Sequence, residues 1–329
     1  MEALDKRMIF AAIAGALTTA GPVLAQQKTD PQNYPARPIR MVLPNTAGSA
    51  MDVVTRMMAQ RFTEVWGQQV IVDNRPGASG IIGLEIAAKA PPDGYTLVFS
   101  SSAGLVIQPL ITKVPYDAHR DFTPISLVVI SPQMLVASPT VAATTVDELV
   151  ALARAKPRQL HCASPGTGTS NHLGCEMLKI MGSVDIVHVP YKGTSPAITD
   201  VMGGQVQFMF NSMPAVWPLA KAGKLRAIAH GGTKRSPAAP NVPTVAESLP
   251  GFQCQTWYAL LAPRGLPAPL LNKLNAETVK MLNDPVFAKR LSDQGQDPQA
   301  SSPGELTQYM RAESERFGRV VKAAGVTAQ

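Results

Sequence analysis

The chain has 329 residues, room for two domains at roughly 100 to 200 residues each, and its 45% hydrophobic content supplies real cores. With 16% charged residues, 25 glycines and 29 prolines, it describes short turns between small-residue elements, which excludes coiled coils, solenoids and fibres. The net charge of +7 is diffuse, with no basic run longer than Lys234 and Arg235 and no interleaved aromatic platform; this excludes nucleic acid and leaves solubility and a weak preference for small anions.

Lys6 and Arg7 precede an apolar stretch over residues 8–20, followed by Gly21, Pro22, Val23, Leu24 and Ala25. This is the pattern of a secretory signal peptide cleaved after about Ala25, and the stretch is shorter than the ~20 residues a membrane span needs. Cleavage removes Glu2, Asp5, Lys6 and Arg7, so the mature charge stays at +7 and the expected location is the periplasm. Of the three cysteines, Cys162 and Cys175 flank a glycine-rich loop, where they could pair or simply be buried. No disulfide is assigned to them, and an odd count leaves at least one thiol without a partner in the chain.

Beyond a linker broken by Pro31, Pro35 and Pro38, residues 39–43 read as a buried strand ending at Pro44. Ser49 and Asp52 resemble a capping box, and Val53, Val54, Met57, Met58, Phe62 and Trp66 keep helical spacing until Gly67. Residues 70–72 form a second strand, 75–80 a loop, 82–89 a helix and 95–100 a third strand. Thr145 and Glu148 cap a helix through Ala155. Strands follow at 160–163, 186–189, 206–210 and 225–229, with helices at 171–181, 196–202 and 215–222. This alternation predicts two α/β lobes built on parallel sheets with helices on both faces. The last third reads as helices at 270–282, 285–294 and 303–323 that cover one lobe.

In open α/β sheets, ligands bind where strands end and helices begin. Two loops have that setting: Pro44 to Asp52, and Ser164 to Ser170 in the other half. Each opens a helix whose free N–H groups and dipole favour an anion, so together they describe an anion clamp, although either alone is more often plain turn chemistry. The run from Gly77 to Gly83 is neither a dinucleotide fingerprint nor a P-loop. No Gly-x-Ser-x-Gly elbow occurs, and His119, His161, His172, His188 and His230 include no zinc-binding pair at helical spacing, so no cofactor or metal is expected. His172, one turn past the second loop, could touch a ligand or serve packing. A serine hydrolase could use Ser164, Ser170 or Ser195, because triads are spatial.

At these loops the chain resembles the substrate-binding proteins of tripartite tricarboxylate transporters, the Bug or TctC family, from about Tyr34 to Val321. The resemblance is carried by Pro44 to Asp52, Asn74 to Ala78, Pro92 to Leu97, Ser164 to Leu173, Val189 to Gly193, Val242 to Glu247, and the segment with Ala262, Pro263, Gly265 and Pro267. It implies a two-lobed periplasmic binding protein fold of type II-like form, with two doubly wound sheets and a ligand cleft between them. Lobe 1 would comprise residues 34–130 and 255–329, and lobe 2 residues 131–254. The implied ligand is a small organic carboxylate held by backbone N–H groups and water, with no catalysis. The implied partners are the membrane permease subunits of such a transporter, and the binding protein itself is expected to be a monomer.

The ligand-binding residues this implies are Asn45, Thr46, Ala47, Gly48, Ser49 and Asp52 from the first loop and Ser164, Gly166, Gly168, Thr169, Ser170 and His172 from the second. Ser79, Ser101, Tyr191 and Asn211 complete the set. The chain departs from the family at Asn45, usually aromatic, at Ser49, usually glycine, at Ile81, usually polar, and at Asn211, often aspartate. The last departure favours an amine-free carboxylate over an amino acid. Two further readings share the architecture: a ligand sensor presenting its closed form to a signalling partner, and an exported hydrolase.

Overall fold

The computed structural model describes residues 32–327, so the signal peptide and cleavage point assigned to residues 1–25 lie outside the described residues. Strand β1 (Ile39–Leu43) is followed at once by Pro44, which has no N–H with which to continue a ladder. Helix α1 (Ala50–Trp66) begins where the Ser49 side chain accepts the Asp52 N–H, and it stops at Gly67, whose φ of 65° is left-handed. Strands β2 (Val70–Asn74) and β3 (Thr96–Ser101) flank β1 in parallel, with helix α2 (Ile81–Ala88) between them in sequence. A π-helical turn, Ala103–Ile107, leads from β3 into the short α3 (Gln108–Ile111).

The second half repeats this order around strand β4 (Phe122–Ala137). It has α4 (Val146–Ala155), β5 (His161–Ser164), α5 (Ser170–Gly182), β6 (Val187–Pro190), α6 (Thr194–Met202), β7 (Phe208–Ser212), α7 (Met213–Lys221) and β8 (Arg226–His230). Strand β9 (Gln255–Pro263) returns, and α8 (Ala268–Leu282), α9 (Pro285–Ser292), β10 (Asp297–Pro298) and α10 (Pro303–Ala324) complete the chain. The Thr145 and Glu148 box is made in both directions at the start of α4.

The strands run β2-β1-β3-β9-β4-β7-β5-β6, with β8 and β10 also pairing β4. Pairing is parallel within each half, but β9 is antiparallel to both β3 and β4, and β4 is antiparallel to β7, β8 and β10. The sheets are therefore mixed, not purely parallel. The chain crosses from one half to the other on β4 and comes back on β9, and strands that carry a chain out and back must oppose one another. β4 changes partner in mid-strand: Pro132 pairs Gln255 of β9, and Gln133 pairs Ser212 of β7. Neither β4 nor β9 is marked by alternation, since all nine residues of β9 are buried.

Burial on both faces is what doubly covered sheets require. Along β9, Tyr258, Leu260 and Ala262 enter a core with α1 and α8, while Trp257, Ala259 and Leu261 enter a second core with α2 and α10. Along β7, Phe208 and Phe210 face α4 and α5, and Met209 faces α6 and α7. The period of two thus feeds four cores, and each fully buried Leu, Ile or Phe contributes roughly 1.5–3 kcal/mol.

Candidate functional site

The first loop is shaped from behind. The Asp52 carboxylate, buried on the first turn of α1, accepts from Gly48 N at 2.9 Å and Arg56 Nε at 2.9 Å through one oxygen and from Asn74 Nδ2 at 3.0 Å through the other. The acidic half of the expected capping box thus reaches Gly48 rather than Ser49. Burial alone would push the pKa of Asp52 up, but hydrogen bonds from Arg56, Asn74 and Gly48 more than offset it, so its pKa lies below the usual carboxylate range and the group stays ionised. Asn45 Oδ1 accepts from Thr46 N at 2.8 Å. With Asp52 N bound to Ser49 Oγ and Val53 N to Ser49 O, the first-turn N–H groups without intrahelical partners are those of Ala50 and Met51.

The second loop is braced in the same way. Thr169 Oγ1 accepts from His172 N at 3.2 Å and donates to Gly166 O at 2.8 Å, and His172 Nδ1 accepts from Gly168 N at 3.2 Å. Ser164 Oγ accepts from Gly166 N at 3.2 Å and sits 2.7 Å from His188 Nε2. His188 stacks on His172 with centroids 3.7 Å apart, and His172 Nε2 faces Glu176 at 3.7 Å. A disulfide joins Cys162 to Cys175 across the base of this loop, a pairing the sequence reading left open; Cys254 is free and buried. The bond forms because β5 and α5 lie side by side, with Cα atoms 6.1 Å apart.

Both loops open on one cleft of about 830 Å3 between the halves of the sheet. Of the expected residues, Asn45, Thr46, Ala47, Gly48, Ser49, Ser79, Ser101, Thr169 and Asn211 line it. Asp52, Ser164, Gly166, Gly168, Ser170, His172 and Tyr191 stand outside its lining. Asp52, Ser164 and His172 hold the loops from behind, while the Tyr191 hydroxyl is bonded to Asp200 Oδ2 at 2.6 Å. Gln133, Asn171, Lys192, Ser212, Tyr258 and Gln294 line it too and were not among the expected residues. Gln133 carried no local signal, because the sequence does not mark β4 as a strand, and Asn171 stands two residues past the Thr169 cap of α5.

The wall gathers helix starts from both sides: α1 and α2 from the first half, and α5, α6 and α7 from the second. Among the described residues that line it there is no carboxylate, and the one charged side chain is Lys192. Burial pushes the Tyr258 hydroxyl up to about 12, so it stays a neutral phenol. The field in the cleft is positive, built from backbone dipoles and one ammonium group.

A family model described as the tripartite tricarboxylate transporter family receptor, TctC, matches residues 54–326. The chain belongs to this family. Among relatives of this TctC protein, the UPF0065 protein in the tcbD-tcbE intergenic region of Pseudomonas sp. is 36% identical over 320 residues, covering 97% of this chain and 94% of its own. An R. palustris structure with adipate superposes with a TM-score of 0.83 at 33% identity, over 89% of this chain and 99% of that one. MatC from Rhodopseudomonas palustris with bound malate gives 0.77 at 31%, over 88% and 100%. TctC proteins are periplasmic solute-binding proteins rather than enzymes, and this chain is one of them. No described helix is long and apolar enough to cross a membrane.

The Ser164 and His188 contact fits that assignment. Ser164 has no exposed surface and stands outside the cleft lining. Burial, together with the neighbouring His172, lowers His188 to about 3, so its imidazole is too weak a base to take a serine proton near neutral pH. The pair fixes the loop.

Proposed function

We propose that this TctC protein captures a small organic carboxylate in the periplasm and presents it to the membrane permease subunits of a tripartite tricarboxylate transporter. Lobe 1, residues 34–130 and 255–329, and lobe 2, residues 131–254, close on the ligand, and the protein works as a monomer exported by cleavage after about Ala25. The support for this reading is the cleft itself: helix starts from both halves, no carboxylate among its described lining residues, and Lys192 in its wall. The N–H groups of Ala50 and Met51 on one side, and that of Asn171 on the other, are the donors for the ligand's carboxylate oxygens. Asn45, Thr46, Ala47, Ser49, Ser79, Ser101 and Thr169 provide the surrounding polar surface. Each helix start contributes ~0.3–1 kcal/mol toward an anion when exposed, and up to ~2 kcal/mol when partly buried. The similar R. palustris proteins with adipate and malate lend the carboxylate reading further weight.

The test is a thermal-shift screen of residues 26–329, refolded to strip any carried ligand, against mono-, di- and tricarboxylates, aromatic acids, amino acids and neutral sugars. A carboxylate at 100 times its Kd adds ~2.7 kcal/mol of stability and a raised Tm. A shift with neutral or cationic compounds, and with no acid, refutes the reading.

A further inference from the structure

Two histidines are stacked behind the second loop, and one of them holds that loop through a nitrogen that stops accepting once it takes a proton. His172, on the first turn of α5 and 5% exposed, accepts the Gly168 N–H at Nδ1, 3.2 Å away. Its own proton therefore sits on Nε2, which faces the Glu176 carboxylate one turn further on at 3.7 Å. His188 of β6 lies flat against the ring, with centroids 3.7 Å apart, and leaves it little room to swing. The bond to Gly168 matters for the cleft, because Thr169 and Asn171, directly beyond it, line the wall.

The titratable and charged groups around His172 come from few elements. Its own helix carries Glu176, 5% exposed, and Lys179, which pairs with Glu176 at 2.8 Å. β6 brings His188, β5 the Ser164 hydroxyl, and α3 the uncharged Gln108, whose amide reaches Gly168 O. Ahead of β9, Cys254 bonds to Ser170 O, and burial pushes its thiol up to about 12, so it carries no charge. α10 also packs on α5, but its Glu313 and Arg316 are bonded to one another and to Trp257 and Gln253. Burial pushes Glu176 up, yet the bonds from His172 and Lys179 hold it below the usual carboxylate range, so a negative charge stands beside His172. His188, lowered to about 3 by burial and by His172, does not compete for the proton.

A proton on His172 Nδ1 makes both ring nitrogens donors, and two N–H groups then face each other across the 3.2 Å contact. The bond to Gly168 is lost. The same proton places a positive charge beside the buried Glu176 carboxylate, which favours the charged ring. Protonation thus exchanges a bond that fixes the loop for an ion pair within α5. We propose that His172 is an acid-sensitive latch on the second loop. Neutral, it holds Gly168 and the cleft wall in place; protonated, it pairs with Glu176 and frees the loop, so capture weakens as the surroundings turn acid. The effect on capture rests on the carboxylate reading above, and the effect on the loop does not.

The test is NMR of the 15N-labelled mature chain, residues 26–329, titrated without ligand from pH 8 to pH 5. The His172 ring signals pass from the Nε2–H tautomer to the imidazolium. The Gly168 amide moves with the same midpoint, and its protection factor against hydrogen exchange falls at least tenfold. Glu176→Gln lowers that midpoint by at least half a pH unit, which loss of a packing contact alone would not do. A Gly168 amide that does not follow His172, or a His172 that stays neutral to pH 5, overturns the latch. Calorimetry with adipate and with malate at pH 7.5 and pH 5 reads the effect on capture. Whichever acid binds does so at least fivefold more weakly at pH 5, after correction for its own protonation. His172→Asn, whose Oδ1 can accept from Gly168 but takes no proton, removes that excess. Equal corrected affinities at the two pH values overturn the effect on capture. Binding of neither acid counts against the carboxylate reading, and the Gly168 result still decides the latch.

Discussion

Gly48 and Gly168 have nearly the same backbone, φ of 76° and 73°, and each sits in the loop ahead of a helix that opens on the cleft. Their surroundings differ. A Cβ on Gly48 meets nothing within 4 Å, whereas one on Gly168 comes within 2.2 Å of Ile111 Cδ1 and 2.6 Å of Gln108 Nε2. Gly48→Ala therefore costs only the left-handed conformation, ~1–2 kcal/mol, and Gly168→Ala adds the displacement of two side-chain tips, Ile111 Cδ1 and Gln108 Nε2, with the Gln108 hydrogen bond to Gly168 O, worth about 1 kcal/mol more. Urea unfolding of the two variants checks this, and equal losses would show that the packing behind the second loop is not tight. The sequence marks both glycines alike, as residues that let a ligand approach. The neighbours that make Gly168 a packing residue are some sixty positions away in the chain, which is why its role could not be read there.

The elements carry their own punctuation. Ser49, Thr145, Thr169 and Ser302 cap their helices through side-chain bonds to the first turn, and Gly67 and Gly325 end theirs in the left-handed region. Such signals act over three or four residues, so α1, α4, α5 and α10 stand within a residue or so of where the pattern puts them. The disulfide is different in kind. Cys162 in β5 and Cys175 in α5 enclose the whole second loop, and their spacing alone leaves pairing open. Closing a loop of this length stabilises by about 3 kcal/mol in the chain-entropy model. A Cys162→Ala, Cys175→Ala double variant should lose stability by ~2–3 kcal/mol in chemical unfolding and bind its carboxylate more weakly, since the loop between them is less ordered. Unchanged unfolding in non-reducing buffer would show that the bond does not form in the exported protein.

At the scale of the whole molecule, α10 ties the crossing strands to both halves. Its residues Leu306, Met310, Phe317 and Val321 lie in the core shared with Trp257 of β9. Glu313 of the same helix accepts from Trp257 Nε1 at 3.0 Å and from Arg316 Nε at 2.7 Å, and Arg316 Nη1 donates to Gln253 O at 3.0 Å, just ahead of β9. Glu313 is 5% exposed, so Glu313→Ala strands a buried indole N–H and a largely buried guanidinium. The expected loss is ~3 kcal/mol, read as a lower denaturation midpoint. A loss below 1 kcal/mol would mean that α10 is held by its apolar face alone. Because this network grips β9 where it leaves the second half, the variant should also change the cleft's ligand-induced Tm shift.

By itself the sequence determined what depends on neighbours along the chain: the helices and their caps, the short parallel strands of each half, the two loops that open α1 and α5, and the family through motifs in a fixed order. The long crossing strands were not legible, because β4 and β9 are buried on both faces and so lose the alternation that marks a strand. The tertiary structure alone decided which loop residues line the cleft and which stand behind it. It also decided that Cys162 meets Cys175, and that Gln133 and Asn171, from a strand and a helix start, meet in the wall of the cleft. Those are relations between atoms far apart in the chain, fixed by how sheets and helices pack, and no local pattern of residues encodes them.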